Sequence, residues 1–162
     1  MPLQSLDDLF VHFLRDMYYA EKQIVKALPR MARKAESDKL REALEHHLEE
    51  SQEHVANLEK VFELLDLKPR GVTCEAMDGI LDEGKEMMSD ARDAETRDAG
   101  MIASAQAVEH YEITRYGTLI AWATQLGKDD VLPLLRSNLD QEYAADRKLS
   151  ELAEKGLNRK AA

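Results

Sequence analysis

One cysteine, Cys74, stands in 162 residues, so no internal disulfide can form and a reducing cytoplasm is the expected compartment. Four prolines, seven glycines and few β-branched runs leave a chain rich in Ala, Leu, Glu, Lys and Met, which favours helix. No apolar run approaches the roughly 18–20 residues of a membrane span. The opening segment Met1-Pro2-Leu3-Gln4-Ser5-Leu6-Asp7-Asp8 lacks a basic stretch followed by an apolar one, so no secretory signal is read there. Basic charge is in deficit: 22 Lys and Arg face 32 Asp and Glu, a formal charge of −10. Nucleic-acid binding needs a concentrated basic surface, and only the weak basic tail Asn158 to Lys160 offers one. The acidic excess suits cations instead.

What is present is a globular composition, 44% hydrophobic and 33% charged, long enough for one domain with a substantial core and too short for two. No linker or low-complexity segment divides it, so a single domain over 1–162 is expected, with the tail after about Gly156 frayed. Apolar residues recur at three- and four-residue intervals almost throughout. The spacing predicts helices over about Ser5–Lys34, from Ser37 or Asp38 to before Lys68, over Glu75–Ala94, over Thr96–Leu126, and from Asp129 or Asp130 onward. Pro29 inside the first is expected to bend its last turns. The expected fold is all-α: four long helices as two hairpins, joined by one long crossover that carries the short helix.

The informative residues are charges placed where the core belongs. At about 100° per residue, Glu21 has Phe10, Leu14 and Leu28 within about 20° on the first helix. Glu109 has Ile102, Tyr116 and Ile120 within about 20°, with Glu112 about 60° away; Glu142 has Val131, Leu135 and Leu149 within about 20°, with Asp146 about 40° away. On the second helix Glu50 lies toward one edge of the stripe, His47 and His54 lie between that edge and the centre, and Glu49 and Glu53 point to solvent.

Heights agree. The midpoint of Glu21 and Glu50 falls between residues 35 and 36, at the first hairpin turn; that of Glu142 with Glu109 and Glu112 falls near residue 126, at the second. One glutamate on an apolar stripe is usually a boundary residue whose head reaches water. Four helices aiming carboxylates at one level is different. Such a cluster is prohibitively costly to bury unless it protonates, pairs with cations or binds metal. Arg15, Lys22, Arg115 and Arg147 all lie off the stripes. Oxygen-rich ligation with an imidazole suits two ions of iron, or manganese, and matches the ferritin-like template of one Glu from each of two helices plus Glu-x-x-His from the others. The expected ligands are Glu21, Glu50, His54, Glu109, Glu112 and Glu142, with Glu50 and Glu109 bridging and Glu21 and Glu142 terminal. His47 either supports the site through Asp146 or replaces His54 as ligand. His12, His46 and His110 fall outside it. Cys74 reads as an inert thiol and Tyr18 as a core or interface tyrosine.

The runs Tyr19-Ala20-Glu21-Lys22-Gln23, His47-Leu48-Glu49-Glu50, Cys74-Glu75-Ala76-Met77-Asp78-Gly79, Val108-Glu109-His110-Tyr111-Glu112-Ile113 and Tyr116-Gly117-Thr118-Leu119 resemble the YciE/YciF family over nearly the whole chain. The resemblance implies a bacterial, ferritin-like, stress-associated homodimer without an established activity, rubrerythrin being the nearest functional relative it suggests. It also implies Glu21, Glu50, Glu109, Glu112 and Glu142 as di-metal carboxylates. Two departures stand out. Glu53, not histidine, follows Glu50 by three residues, with His54 one later; Ala145 holds the matching position after Glu142, with Asp146 next.

The expected function is therefore a di-iron or iron/manganese carboxylate protein that oxidises metal or reduces oxygen or peroxide in stress defence. The alternative is a stress-associated structural or binding protein whose metal site is vestigial or purely structural. No Cys-x-x-Cys is present, so the electron donor must be another molecule. The methionines of the short helix read as packing at a partner surface, favouring a dimer.

Overall fold

Ser5, Ser37 and Asp93 each accept a hydrogen bond from the backbone N–H three residues on, and each starts a long helix. The structure, a computed structural model, describes residues 3–162; Met1 and Pro2, which open the segment read for a secretory signal, lie outside the described residues. In chain order the helices are α1 (Leu6–Lys34), α2 (Asp38–Leu64), α3 (Glu75–Asp90), α4 (Ala94–Gln125), α5 (Leu132–Leu152) and α6 (Asn158–Ala161). α1 runs unbroken through Pro29. α3 stops short of the expected residue 94 because Asp93 already caps α4, its Oδ1 accepting from Thr96 N at 2.8 Å. Gly127, at φ 67°, lets the chain reverse after α4, and a 3-10 turn over Asp129–Val131 leads into α5 with Pro133 in its first turn.

The four long helices form the all-α bundle. Glu36 N and Ser37 N, at the α1–α2 turn, donate to Asp98 Oδ1 and Oδ2 at 3.0 and 2.8 Å, which sets that turn beside the start of α4. At the opposite end Phe13 and Trp122 rings lie 5.1 Å apart, so α1 and α4 run antiparallel. Asn57 meets Asn138 in the same antiparallel sense between α2 and α5. Asp98 is buried, and alanine there strands two backbone donors. Asp98→Ala is expected to cost about 1–3 kcal/mol, read as a lower urea midpoint.

The apolar core is in two pieces. One, around Ile24, Leu28, Leu44, Met101 and Leu149, lies toward the α1–α2 turn; the other, around Phe10, Leu14, Phe62, Leu119 and Leu135, fills the far end. Each such fully buried side chain contributes about 1.5–3 kcal/mol. Of the α3 methionines, Met77 and Met88 are buried in the first cluster, and half-buried Met87 packs against it with its thioether over Gly100 of α4. Past α5 a wide helical turn, Ala153–Leu157, carries Leu157 into the first cluster before α6, because a leucine there finds more apolar surface than water offers.

Candidate metal centre

Between the two apolar clusters lies a polar layer. α1 supplies Glu21, α2 supplies His47 and His54, α4 supplies Glu109 and Glu112, and α5 supplies Glu142. All six are buried, four of them completely. The helical period explains this: each occupies a position that its neighbours one turn away fill with apolar side chains.

Their ligand atoms form two overlapping groups. Glu21, His54, Glu112 and Glu142 bring one atom each within 4.8 Å of one another, and so do His47, Glu109, Glu112 and Glu142. Glu112 and Glu142 belong to both. Both oxygens of Glu112 and of Glu142, the second oxygens of Glu21 and Glu109, and His47 Nδ1 are buried with no hydrogen-bond partner. Among the described residues no lysine or arginine pairs with these carboxylates. Native interiors rarely leave so many polar atoms unsatisfied, and a set of carboxylate oxygens and two imidazoles is what a borderline or hard divalent metal accepts. The residues fit such ions.

Without metal the layer takes up protons. Burial, then the proton shared with Glu142, pushes the Glu109 carboxyl well above the usual carboxylate range. Burial and the surrounding carboxylates do the same to Glu112. Glu142 goes the other way, to about 2: burial opposes ionisation, but the neighbouring Glu109 carboxyl and the His54 and His47 imidazoles outweigh it. His54 is raised to about 11, burial working against its charge and Glu21 and Glu142 prevailing. Its Nδ1 lies 3.0 Å from both Glu21 Oε1 and Glu142 Oε1, with hydrogen-bond geometry only toward Glu21.

Polar groups behind the layer aim these ligands. Tyr116, wholly buried, donates to Glu21 Oε1 at 2.6 Å; Asn138 Nδ2 donates to Tyr116 Oη at 3.1 Å, and Asn57 Nδ2 to Asn138 Oδ1 at 2.8 Å. With Asn138 occupying the phenol oxygen from behind, the phenolic proton is committed to Glu21. Gln141 Oε1 lies 2.7 Å from His54 Nε2, while Gln141 Nε2 donates to Glu53 Oε2 at 3.3 Å. With metal bound, His54 would keep its proton on Nε2, leaving Nδ1 as the nitrogen offered to the layer. None of these supports was read from the sequence. Asn138 stands one turn before Glu142 and Tyr116 one turn after Glu112, so an amide and a phenol within carboxylate-bearing stripes were the available signal.

Two expected placements change. Glu50 stands at the rim, its side chain 13% exposed, with Oε1 3.2 Å from His46 Nε2 and Oε2 3.6 Å from His47 Nδ1. Its position at the stripe edge turns it toward the gap between α2 and α5, and it joins neither four-atom group. His47 does not meet Asp146; its Nε2 lies 3.1 Å from Glu109 Oε1, while Asp146 Oδ1 accepts from Gln106 Nε2 at 3.1 Å and lies 3.0 Å from the exposed His110. Tyr18 is the core tyrosine it was read as, buried against Phe62 at 5.5 Å between ring centroids, with its hydroxyl donating to Glu59 at 2.9 Å. Cys74 is buried, with Sγ 3.0 Å from Tyr111 Oη, and burial pushes its thiol up, away from the reactive thiolate.

Residues 5–162 match the family described as a domain of unknown function, DUF892. The chain belongs to this family. Protein YciF of Escherichia coli (strain K12) is 41% identical over 162 residues, 99% of this chain and 98% of its own length. The family's architecture is that seen here. The crystal structure of E. coli YciF, described as a stress protein, superposes with a TM-score of 0.92 at 41% identity, covering 96% of this chain and 99% of that one. YcfI of Rhodopseudomonas palustris, for which a structural role has been suggested, gives 0.90 at 50% identity over 91% of this chain and 94% of that one. A Xanthomonas campestris protein gives 0.73 at 25% identity over 93% and 91%. The family likeness expected from the motif runs is thus present along the full chain.

Proposed function

We propose that this chain is a di-metal carboxylate protein, holding two ions of iron, or of iron and manganese, and acting on ferrous iron, oxygen or peroxide in cytoplasmic stress defence. The observation that carries the reading is Glu112: wholly buried, both oxygens unpartnered, and shared by two overlapping groups of potential ligands. Metal ions bound there supply reversible one-electron chemistry that no side chain of the site possesses. The chain's own residues do the rest. Glu112 and Glu142, which belong to both ligand groups, would be shared between the two ions, the role first expected of Glu50 and Glu109. Tyr116 and Gln141 fix the directions of Glu21 and His54, and the apolar clusters on either side keep bulk water out. Glu109, whose carboxyl burial holds well above the usual range, would give up a proton on binding metal.

A second reading draws on the structural role suggested for the 50% identical relative: the ions serve stability alone. Both are tested by loading the protein anaerobically with iron(II), measuring metal by elemental analysis, and then adding peroxide. About two ions per chain are expected, with peroxide consumed, and Glu109→Ala is expected to lose at least one. Bound metal without turnover selects the structural reading. No bound metal rejects both.

A further inference from the structure

Among the described residues, the polar layer meets a groove on one side. This groove, of about 1200 Å³, runs between α2, α5 and the C-terminal turn and ends against His47, Glu50 and Glu109. Glu21, His54, Glu112 and Glu142 do not line it and are completely buried. The other cavity beside His47 and Glu109, under α3, measures about 10 Å³ and is walled by apolar chains such as Ile24 and Leu28, too small to pass a hydrated ion. The two four-atom groups therefore differ in access. The His47–Glu109 group faces the groove, and the Glu21–His54 group lies behind it, backed by Tyr116 and Asn138 and covered toward α5 by half-buried Gln141.

Small side chains keep the groove open. Ala145 lies one turn after Glu142 and lines the groove, as does Ala105 of α4. Any larger side chain at 145 would project between Glu142 and solvent. Glu50 stands where groove and layer meet, outside both groups, its oxygens directed at exposed His46 and buried His47.

We infer that this groove is the door by which divalent cations reach the centre, that the His47–Glu109 seat exchanges directly with solvent, and that the Glu21–His54 seat fills and empties only through it, with Glu50 as the carboxylate that hands cations inward. The inference rests on the proposed metal centre and adds an order of access to it.

The test uses cobalt(II), whose visible absorption reports the bound ion, with EDTA in excess. Wild-type protein is expected to release two equivalents in two phases separated by about tenfold or more in rate, because emptying the inner seat waits on the outer seat or on local opening. The fast rate should rise with EDTA concentration and the slow rate should not. Glu50→Gln is expected to keep the two-ion stoichiometry while loading about tenfold more slowly, the size of effect that supporting groups exert on metal sites. Ala145→Leu is expected to slow the fast phase; where that variant does not fold, the EDTA dependence of the wild type decides. A single phase, or two phases equally dependent on EDTA, overturns the order of access while leaving the metal centre standing. A Glu50→Gln protein that binds one ion fewer makes Glu50 a ligand and overturns its role as a relay. A wild-type protein that binds no cobalt removes the centre itself.

Discussion

Glu112→Leu is expected to give a metal-free protein that melts higher than the wild type and that no longer holds two ions. Glu112 makes no hydrogen bond with either oxygen, has no exposed surface, and shares its surroundings with Glu21, Glu109 and Glu142. Burying it in the apo protein costs either a charge out of water or a proton held on an otherwise ionised group. An apolar side chain of similar reach removes that cost and adds contact with the clusters above and below. Comparable replacements of buried charged groups gain about 1–4 kcal/mol. In a chain of 162 residues each kcal/mol moves the melting temperature by about 2–4 °C. Calorimetry of both proteins after chelator treatment, beside their cobalt stoichiometry, measures the two effects. A lower melting temperature for the variant would show that Glu112 stabilises the fold on its own account, and the case for a retained metal ligand would then fail.

Metal-free protein is also expected to lose stability steadily as pH rises from about 5 to about 9. Glu109 and Glu112 are held above their ordinary 4.5, chiefly by burial, so they bind protons more tightly folded than unfolded. Their contribution is complete below 4.5 and fades as pH climbs through the raised values. His54 acts in the same direction: raised from 6.5 to about 11, it stabilises fully below 6.5 and less and less up to 11. Glu142, lowered to about 2, contributes above 4.5 and loses that contribution only as pH falls from 4.5 toward 2, so it is flat across the window. No opposing slope comes from the layer. Urea midpoints at pH 5.5, 7 and 8.5 should therefore fall in that order for the apo protein. Bound cations take the place of the protons, so the loaded protein should show a flatter or reversed trend, and loading in weak buffer should acidify the solution. An apo midpoint that rises with pH would mean the layer is not proton-filled.

The helices were legible because their signals are local. Ser37 announces the start of α2, and Leu6, Phe10, Leu14 and Met17 on α1 keep a helical period; Asp93 was passed over because the apolar spacing of α3 ran on to residue 94. Glu21, Glu109 and Glu142 were legible for the same reason, since a charge inside an apolar period is visible one helix at a time. Cross-helix facts were not. His47 and His54 sit two turns apart on the same buried face of α2, and only the positions of α1, α4 and α5 decide what each one meets: Glu109 for the first, Glu21 and Glu142 for the second. Glu50 lay near enough to the edge of the stripe that the phase of one helix could not say whether it faced the layer or the groove. Asn57, Asn138 and Tyr116 become a chain only when three helices are side by side. Leu157 was not read as core because the apolar content of the tail is too sparse to show a period.

The division of the core into two apolar clusters by a polar layer has a consequence for how the helices find their alignment. In a bundle whose core is apolar from end to end, a helix can slide by one turn, about 5.4 Å, and exchange one leucine for another at little cost. Here a one-turn slip of any of the four long helices would drive a glutamate or histidine into Phe10, Leu58 and Leu119 on one side or Leu28, Leu44 and Leu149 on the other, and would leave its former partners facing hydrocarbon. The layer works as a vernier mark, making one axial alignment far lower in free energy than its neighbours, much as a single buried polar residue sets the pairing of a coiled coil.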